Sequence, residues 1–395
     1  MNQIVKLEPD KYKDSLALSM YAFQVQLSEE QQQERLKLMQ EEAAERWAIE
    51  VDGRIGAQLT ILDLHVRING QSIAMGGIAG VATWPELRRM GLVRELMHHA
   101  LEQMRRKGQT ISYLHPFEFY FYRKFGWESF SEMRKYTLEI GQLPPRAEVQ
   151  GSIRRHSAPD YVVLGNLYKS YIERYNGALE RTEEWWRNRV VPSNKNLLTA
   201  VYYSAGEEPA GYIIYEIRDR QWTTREMVWL NEEARTALWT FIGQHDSMLK
   251  EVVLEAPEDD ILTYTLPNPR VKQEMKSYFM ARIVDVEAFI EQYRFKPSNQ
   301  TDQITISIID HQAAWNHKEY EITILPSGEA KVVPLASQEC GCVQIGIGHL
   351  TALLLGSRRF SDLHRYGLLL HSSSEVVEVL ERRIPAGVTY LPDFF

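Results

Sequence analysis

The sequence predicts an α+β chain built on mixed sheets, in which one folding pattern occurs twice and a different α+β segment follows. Within residues 1–142 a helix, a β-meander and a strand–helix–strand run succeed one another. The same order returns over 147–284 as a worn repeat. Residues 285–395 then give a run of strand signals with hairpin punctuation, followed by helical patterns, an order that matches neither. At 395 residues the chain is also too long for one ordinary core.

In the first segment helical spacing runs over 12–27, and the Glu/Gln-rich stretch 28–45 reads as a solvated helix. Strand patterns at 47–52 and 54–68 meet at Asp52-Gly53, and the second turns at Asn69-Gly70, both hairpin dipeptides. Residues 78–83 (IAGVAT) read as a buried strand. Leu92, Leu96, Ala100 and Met104 follow at helical intervals. TISYL (110–114), a short aromatic helix and a strand near 135–140 close the segment, and LPPR (143–146) is the linker. The second segment places a helix at 161–174, strands at 197–204, 210–217 and 225–230, a helix at 234–247 and a strand at 251–257. Strands at 303–310, 320–326 and 329–335 and helices at 348–357, 360–367 and 373–384 make up the third. The chain ends in GVTYLPDFF.

A composition of 44% hydrophobic and 25% charged residues excludes wholesale disorder. The net charge of −8 argues against nucleic acid as a partner and favours cationic small molecules. No apolar run approaches a membrane span, and residues 1–14 lack the apolar core of a signal peptide. Cys340 and Cys342, one glycine apart, make neither a disulfide framework nor a zinc site. They read as reduced thiols of a cytoplasmic protein. His98, His99 and His349 lack partners at metal-ligand spacing, so no metal is expected.

The stretch Val81-Ala82-Thr83-Trp84-Pro85-Glu86-Leu87-Arg88-Arg89-Met90-Gly91-Leu92-Val93 is the most informative. A buried strand ends, two arginines and a glycine follow, and an amphipathic helix begins. A helix N-terminus offers unpaired N–H groups and the positive end of the helix dipole. Gly91 lets the backbone approach an anion, and Arg88 and Arg89 supply donors shaped for phosphate. The matching ligand is a pyrophosphate. Alone, the pattern fits solvated charges before a helix equally well. A second motif, PFEFYFYRKFGW at 116–127, follows a strand about 25 residues downstream.

Together the two motifs resemble the GNAT acetyltransferase superfamily. Arg88 and Gly91 match its pyrophosphate loop, while Val93 departs from the small third residue. FYRKFGW resembles its later aromatic-Tyr-x-x-aromatic-Gly-aromatic signature. Two such domains, the second degenerate, and a C-terminal α+β domain ending in phenylalanine resemble the Eis-like (enhanced intracellular survival) family, whose third domain is similar to sterol carrier proteins. The resemblance covers essentially the whole chain. It implies a catalytic domain at 1–142, a degenerate one at 147–284 and a sterol-carrier-like one at 285–395. It also implies acetyl-CoA as cosubstrate, a small amine as acceptor and a homo-oligomer, a hexamer.

By the same resemblance the backbone of Val81, with Ala82 and Thr83, holds the pantetheine arm and the acetyl oxygen. Tyr122 becomes the general acid, with Tyr120 as its local rival. The carboxylate of Phe395 becomes the base. Two terminal phenylalanines are unfavourable to leave in water, which agrees with an anchored tail. In the second segment Asn231-Glu232-Glu233 stands where the phosphate loop belongs, and its carboxylates oppose a pyrophosphate. One cofactor per chain is expected. The expected activity is acetylation of primary amines on a polycationic acceptor, aminoglycoside-like or polyamine. The alternatives are a protein lysine acetyltransferase and a non-catalytic lipid- or acyl-CoA-binding module.

Overall fold

The computed structural model describes residues 3–156, 158–192, 196–335, 343–369 and 374–395. Cys340 and Cys342 lie outside the described residues. The chain divides into two compact units, one made of 1–130, 279–386 and Phe395, the other of 131–278 and 387–394.

The first unit opens with β1 (Gln3–Lys6), α1 (Tyr12–Ala22) and α2 (Glu29–Glu41). α1 stops five residues short of the helical pattern, because Phe23 caps it and Gln24 turns left-handed at φ 55°. α2 starts on a Ser28–Gln31 capping box and buries only Met39, as a solvated helix should. β2 (Ala44–Val51), β3 (Arg54–Ile68) and β4 (Gln71–Thr83) form an antiparallel meander. Both of its turns use Asx-Gly pairs with positive φ, at Asp52-Gly53 and Asn69-Gly70. α3 (Leu92–Arg106) leads to β5 (Ile111–Leu114), which pairs parallel with β4. α3 buries Leu92, Leu96, Met97, Ala100, Leu101 and Met104 against Leu59, Ile61 and Ile78. Each large apolar chain there contributes about 1.5–3 kcal/mol relative to exposure. The five-residue α4 (Phe119–Arg123) and the start of β6 (Glu128–Glu139) follow.

The second unit repeats this plan with different chemistry. β7 (Ser152–His156) and α5 (Tyr161–Ile172) precede the two-residue β8 (Tyr175–Asn176), then β9 (Leu198–Tyr203), β10 (Pro209–Arg218), β11 (Gln221–Trp229) and β12 (Glu251–Pro257). β11 and β12 run parallel around the helix Glu232–Gly243, as β4 and β5 do around α3. Trp186 and its neighbour Trp185 are core residues. Near them Arg181 is buried, donating to Glu226 at 2.9 and 2.5 Å and to Asp393 at 2.9 Å. Trp185 Nε1 donates to the same Asp393 carboxylate at 2.7 Å. Charges so deeply placed persist because every partner is supplied. Val388–Thr389 pairs with β8, so the tail is tied down over 388–393.

β13 (Lys272–Ile283) returns the chain to the first unit, where Met280–Ile283 pairs antiparallel with Ile111–Leu114. There β14 (Asp302–Ile309), β15 (Glu319–Ile324), β16 (Ala330–Pro334) and β17 (Val343–Gly346) form a sheet in the order β16-β15-β14-β17, with helices Ile347–Leu355, Phe360–Arg365 and Ser374–Arg383. Among the described residues no helix is long and apolar enough to cross a membrane.

Candidate active site

β4 and β5 pair for only four residues, ending at Ile78 opposite Leu114, while β4 continues to Thr83. On its other edge the β3 register slips between Ala79 and Ala82, so Gly80 and Val81 form a bulge, with Gly80 at φ 60°. Backbone groups of a central strand are thereby released from both neighbours. The polypeptide then turns through Arg89, a left-handed residue at φ 65°, and Gly91 at φ 86°. Gly91 is the N-cap of α3 and has no side chain to satisfy the first-turn N–H groups. The left-handed φ of Gly91 favours glycine, and a Cβ there would lie 3.3 Å from an Arg94 guanidinium nitrogen.

This gap opens into a cleft of about 650 Å³ whose lining includes Val81, Ala82, Thr83, Arg88, Arg89, Gly91, Leu92 and Val93. Met90 faces solvent instead and is 58% exposed. Arg88 and Arg89 have no ion-pair partner among the described residues. Thr83 Oγ1 is buried and likewise lacks a hydrogen-bond partner there. An uncapped helix start, two unpaired guanidinium groups and an orphaned hydroxyl on one cleft suit the pyrophosphate and amide-bearing arm of a coenzyme A thioester. Sequence reasoning missed Arg94, Ala22, Phe23, Phe117, Phe121 and Phe125 in this lining. The i+3 position of Arg94 from Gly91 was the available signal.

Tyr122 is buried and Tyr120 is 67% exposed, so the fold separates the two rivals. The Tyr120 ring carries the Lys124 ammonium 4.4 Å from its centroid, on the outside. The Tyr122 ring meets Phe117 and Phe121 of the cleft edge-on, at 5.4 and 5.1 Å. Burial raises its pKa well above the ordinary tyrosine value, so the hydroxyl keeps its proton throughout the neutral range. No hydrogen bond among the described residues engages that hydroxyl, which leaves it free to donate.

Phe395 is a buried residue of the first unit. Its ring lies 4.9 Å from that of Phe279 and against Gly77 of β4, where a Cβ would come within 2.9 Å of Phe395 Cε2. His115, beyond the end of β5, approaches the same Phe279 ring at 5.4 Å, and desolvation lowers its imidazole below the ordinary value.

The corresponding helix start in the second unit is closed. Asn231 Oδ1 accepts from Ala234 N at 2.8 Å, Glu232 pairs with Arg235 at 2.6 Å, and the adjoining cavity is smaller, about 280 Å³. Carboxylates occupy the anion position and the cap is filled from within. Among the described residues no group of three or more His, Cys, Asp or Glu side chains could hold a metal.

Residues 3–130 and 177–283 each match an acetyltransferase (GNAT) domain family, and residues 286–392 match a sterol carrier protein domain. An uncharacterised N-acetyltransferase of Streptomyces avermitilis is 25% identical over 355 residues, 83% of this chain and 82% of its own. Among solved structures, a protein of unknown function from Enterococcus faecalis, described as "Probable N-Acyltransferase", is 27% identical and covers both chains fully at a TM-score of 0.94. Eis1 from Mycobacterium abscessus has the same fold, at 18% identity, full coverage of both chains and a TM-score of 0.81.

Proposed function

We propose that this chain, which belongs to the GNAT N-acetyltransferases with two such domains and a sterol carrier domain, acetylates primary amines of a polycationic acceptor, aminoglycoside-like or polyamine. The observation that carries the reading is the β4–α3 cleft, with its released backbone, free helix start and unpaired Arg88 and Arg89. In it Arg88, Arg89 and the α3 N–H groups hold the diphosphate, and the bulge at Gly80–Val81 holds the thioester arm. Acetyl-CoA supplies the activated acetyl group.

The chain's residues then manage two protons. The acceptor nitrogen forms its bond to the acetyl carbon as the carbon–sulfur bond breaks. The amine proton passes to the Phe395 carboxylate, and the Tyr122 hydroxyl donates to the departing sulfur. The net charge of −8 draws a polycation toward the protein. The same reading makes the protein a cytoplasmic homo-oligomer, a hexamer. Incubation with acetyl-CoA and separate panels of aminoglycosides, polyamines and lysine peptides, followed by thiol release, tests it. Release with the small amines supports the proposal; release with peptides alone makes the protein a lysine acetyltransferase. No release with any panel, together with tight lipid binding, makes it a binding module.

Calorimetry with acetyl-CoA will give one site per chain. The Arg88→Ala/Arg89→Ala double variant will bind it about tenfold or more weakly, with lost charge-assisted bonds as the cause. A second site, or unchanged affinity in the double variant, would overturn this assignment of the cleft.

A further inference from the structure

α4 carries Tyr122 yet is only five residues long, far below the length at which a helix holds itself in water. Its carbonyls show what supports it. Tyr122 O accepts from Phe125 N at 2.9 Å and from Trp127 N at 3.3 Å, and Arg123 O accepts from Gly126 N at 3.0 Å. The next two carbonyls are served from far along the chain. Lys124 O accepts from Gln312 Nε2 at 2.8 Å, and Phe125 O accepts from Arg282 Nη1.

Both donors are themselves fixed. Arg282 is fully buried and pairs with Asp310 at 2.5 Å. Asp310 also accepts from Gln312 N at 3.0 Å, Ala313 N at 3.1 Å and Asn316 Nδ2 at 3.1 Å, so its charge is compensated on every side. The same segment reaches the phosphate helix, where His98 Nδ1 lies 3.1 Å from Gln312 O. Gly126 explains itself in this setting. Its φ is +84°, and a Cβ there would meet Arg282 Nη1 at 2.5 Å and Ile347 Cγ2 at 2.7 Å. The glycine of FYRKFGW is thus the opening through which a guanidinium caps the tyrosine helix.

We propose that Arg282 and Gln312, held by the 310–316 segment of the C-terminal part, are positioning residues that aim the Tyr122 hydroxyl. The proposal rests on Tyr122 being the general acid. It gives the C-terminal part a role in acetyl transfer besides delivering the carboxy-terminus: it finishes the C-terminal end of the helix that bears the acid. A group displaced by about 1 Å costs up to about 10²-fold in rate, so small shifts of α4 are felt first in turnover.

The experiment uses Gln312→Met, which removes the donor to Lys124 O while keeping the half-buried stem and the backbone carbonyl near His98. Arg282 is left unchanged, since its loss would strand the buried Asp310. The full-length protein, Gln312→Met, Tyr122→Phe and the double variant are compared for kcat, acetyl-CoA KM and melting temperature. The expected result is a fall in kcat of about 10-fold for Gln312→Met at unchanged KM and melting temperature. In the Tyr122→Phe background the same change has no further effect, because nothing remains to be aimed. If Gln312→Met leaves kcat unchanged, or lowers it by the same factor in both backgrounds, the positioning role is refuted while Tyr122 stands. If Tyr122→Phe alone keeps full kcat, the acid assignment fails first and takes the positioning role with it.

Discussion

Replacing Tyr122 with phenylalanine will lower kcat by about 10²-fold while leaving the acetyl-CoA KM within about a factor of two. The exchange removes one oxygen from a ring whose faces and edges are already packed by Phe117 and Phe121, so the fold is kept. The lost oxygen is a protonated donor, and burial ensures that it carries its proton at working pH. Without it the sulfur departs as a bare thiolate or takes a proton from water, which costs rate and not affinity. Steady-state kinetics with a small amine acceptor measures both constants. Tyr120→Phe in parallel separates the pair, because Tyr120 is outside and its loss should leave kcat alone. An unaltered kcat in Tyr122→Phe, or an equal loss in Tyr120→Phe, would sink the assignment.

Deleting Phe395, or extending the chain beyond it, will lower kcat by about 10²-fold with the melting temperature kept within a few degrees. The seat of the Phe395 ring is specific. Gly77 is bare so that the ring can rest on β4, and Phe279 covers it. Such a seat gives a terminal residue one position, which a base requires and a frayed end lacks. Extension keeps the ring but turns the carboxylate into an amide, so it separates charge from packing. Phe395→Leu keeps the carboxylate on a smaller anchor and should fall between the wild type and the deletion. Full activity in the extended enzyme is the result that would remove Phe395 from the reaction.

How much of this was legible beforehand follows from how local each feature is. Asp52-Gly53 and Asn69-Gly70 read as hairpins because the dipeptide alone sets the turn. The loop proposed to hold the diphosphate stands out in the sequence for the same reason, since the arginines, Gly91 and the apolar period of α3 lie within one short stretch. The limits of α1 were not, because a left-handed Gln24 has no sequence signature comparable to glycine. β13 escaped notice since its first half is exposed and polar, and only Phe279–Ile283 has a buried strand's pattern. The bare Gly77 beneath Phe395 and Arg181 holding Asp393 both join residues remote in sequence. Such contacts are chosen by the finished fold, and a pattern read along the chain does not contain them.

The first unit is assembled from 1–130, 279–386 and Phe395, with 131–278 between the first two stretches, and its β5 acquires an antiparallel neighbour only when Met280–Ile283 exists. A ribosome therefore releases the cofactor loop early and its remaining supports late. Until then one edge of β5, bearing the buried Ser112 and Tyr113, stays open to unwanted pairing. The domain that begins first thus waits, as the second does, for the end of the chain. A nascent chain arrested after residue 278 should accordingly fail to retain acetyl-CoA on a filter, and retention there would contradict this order of maturation.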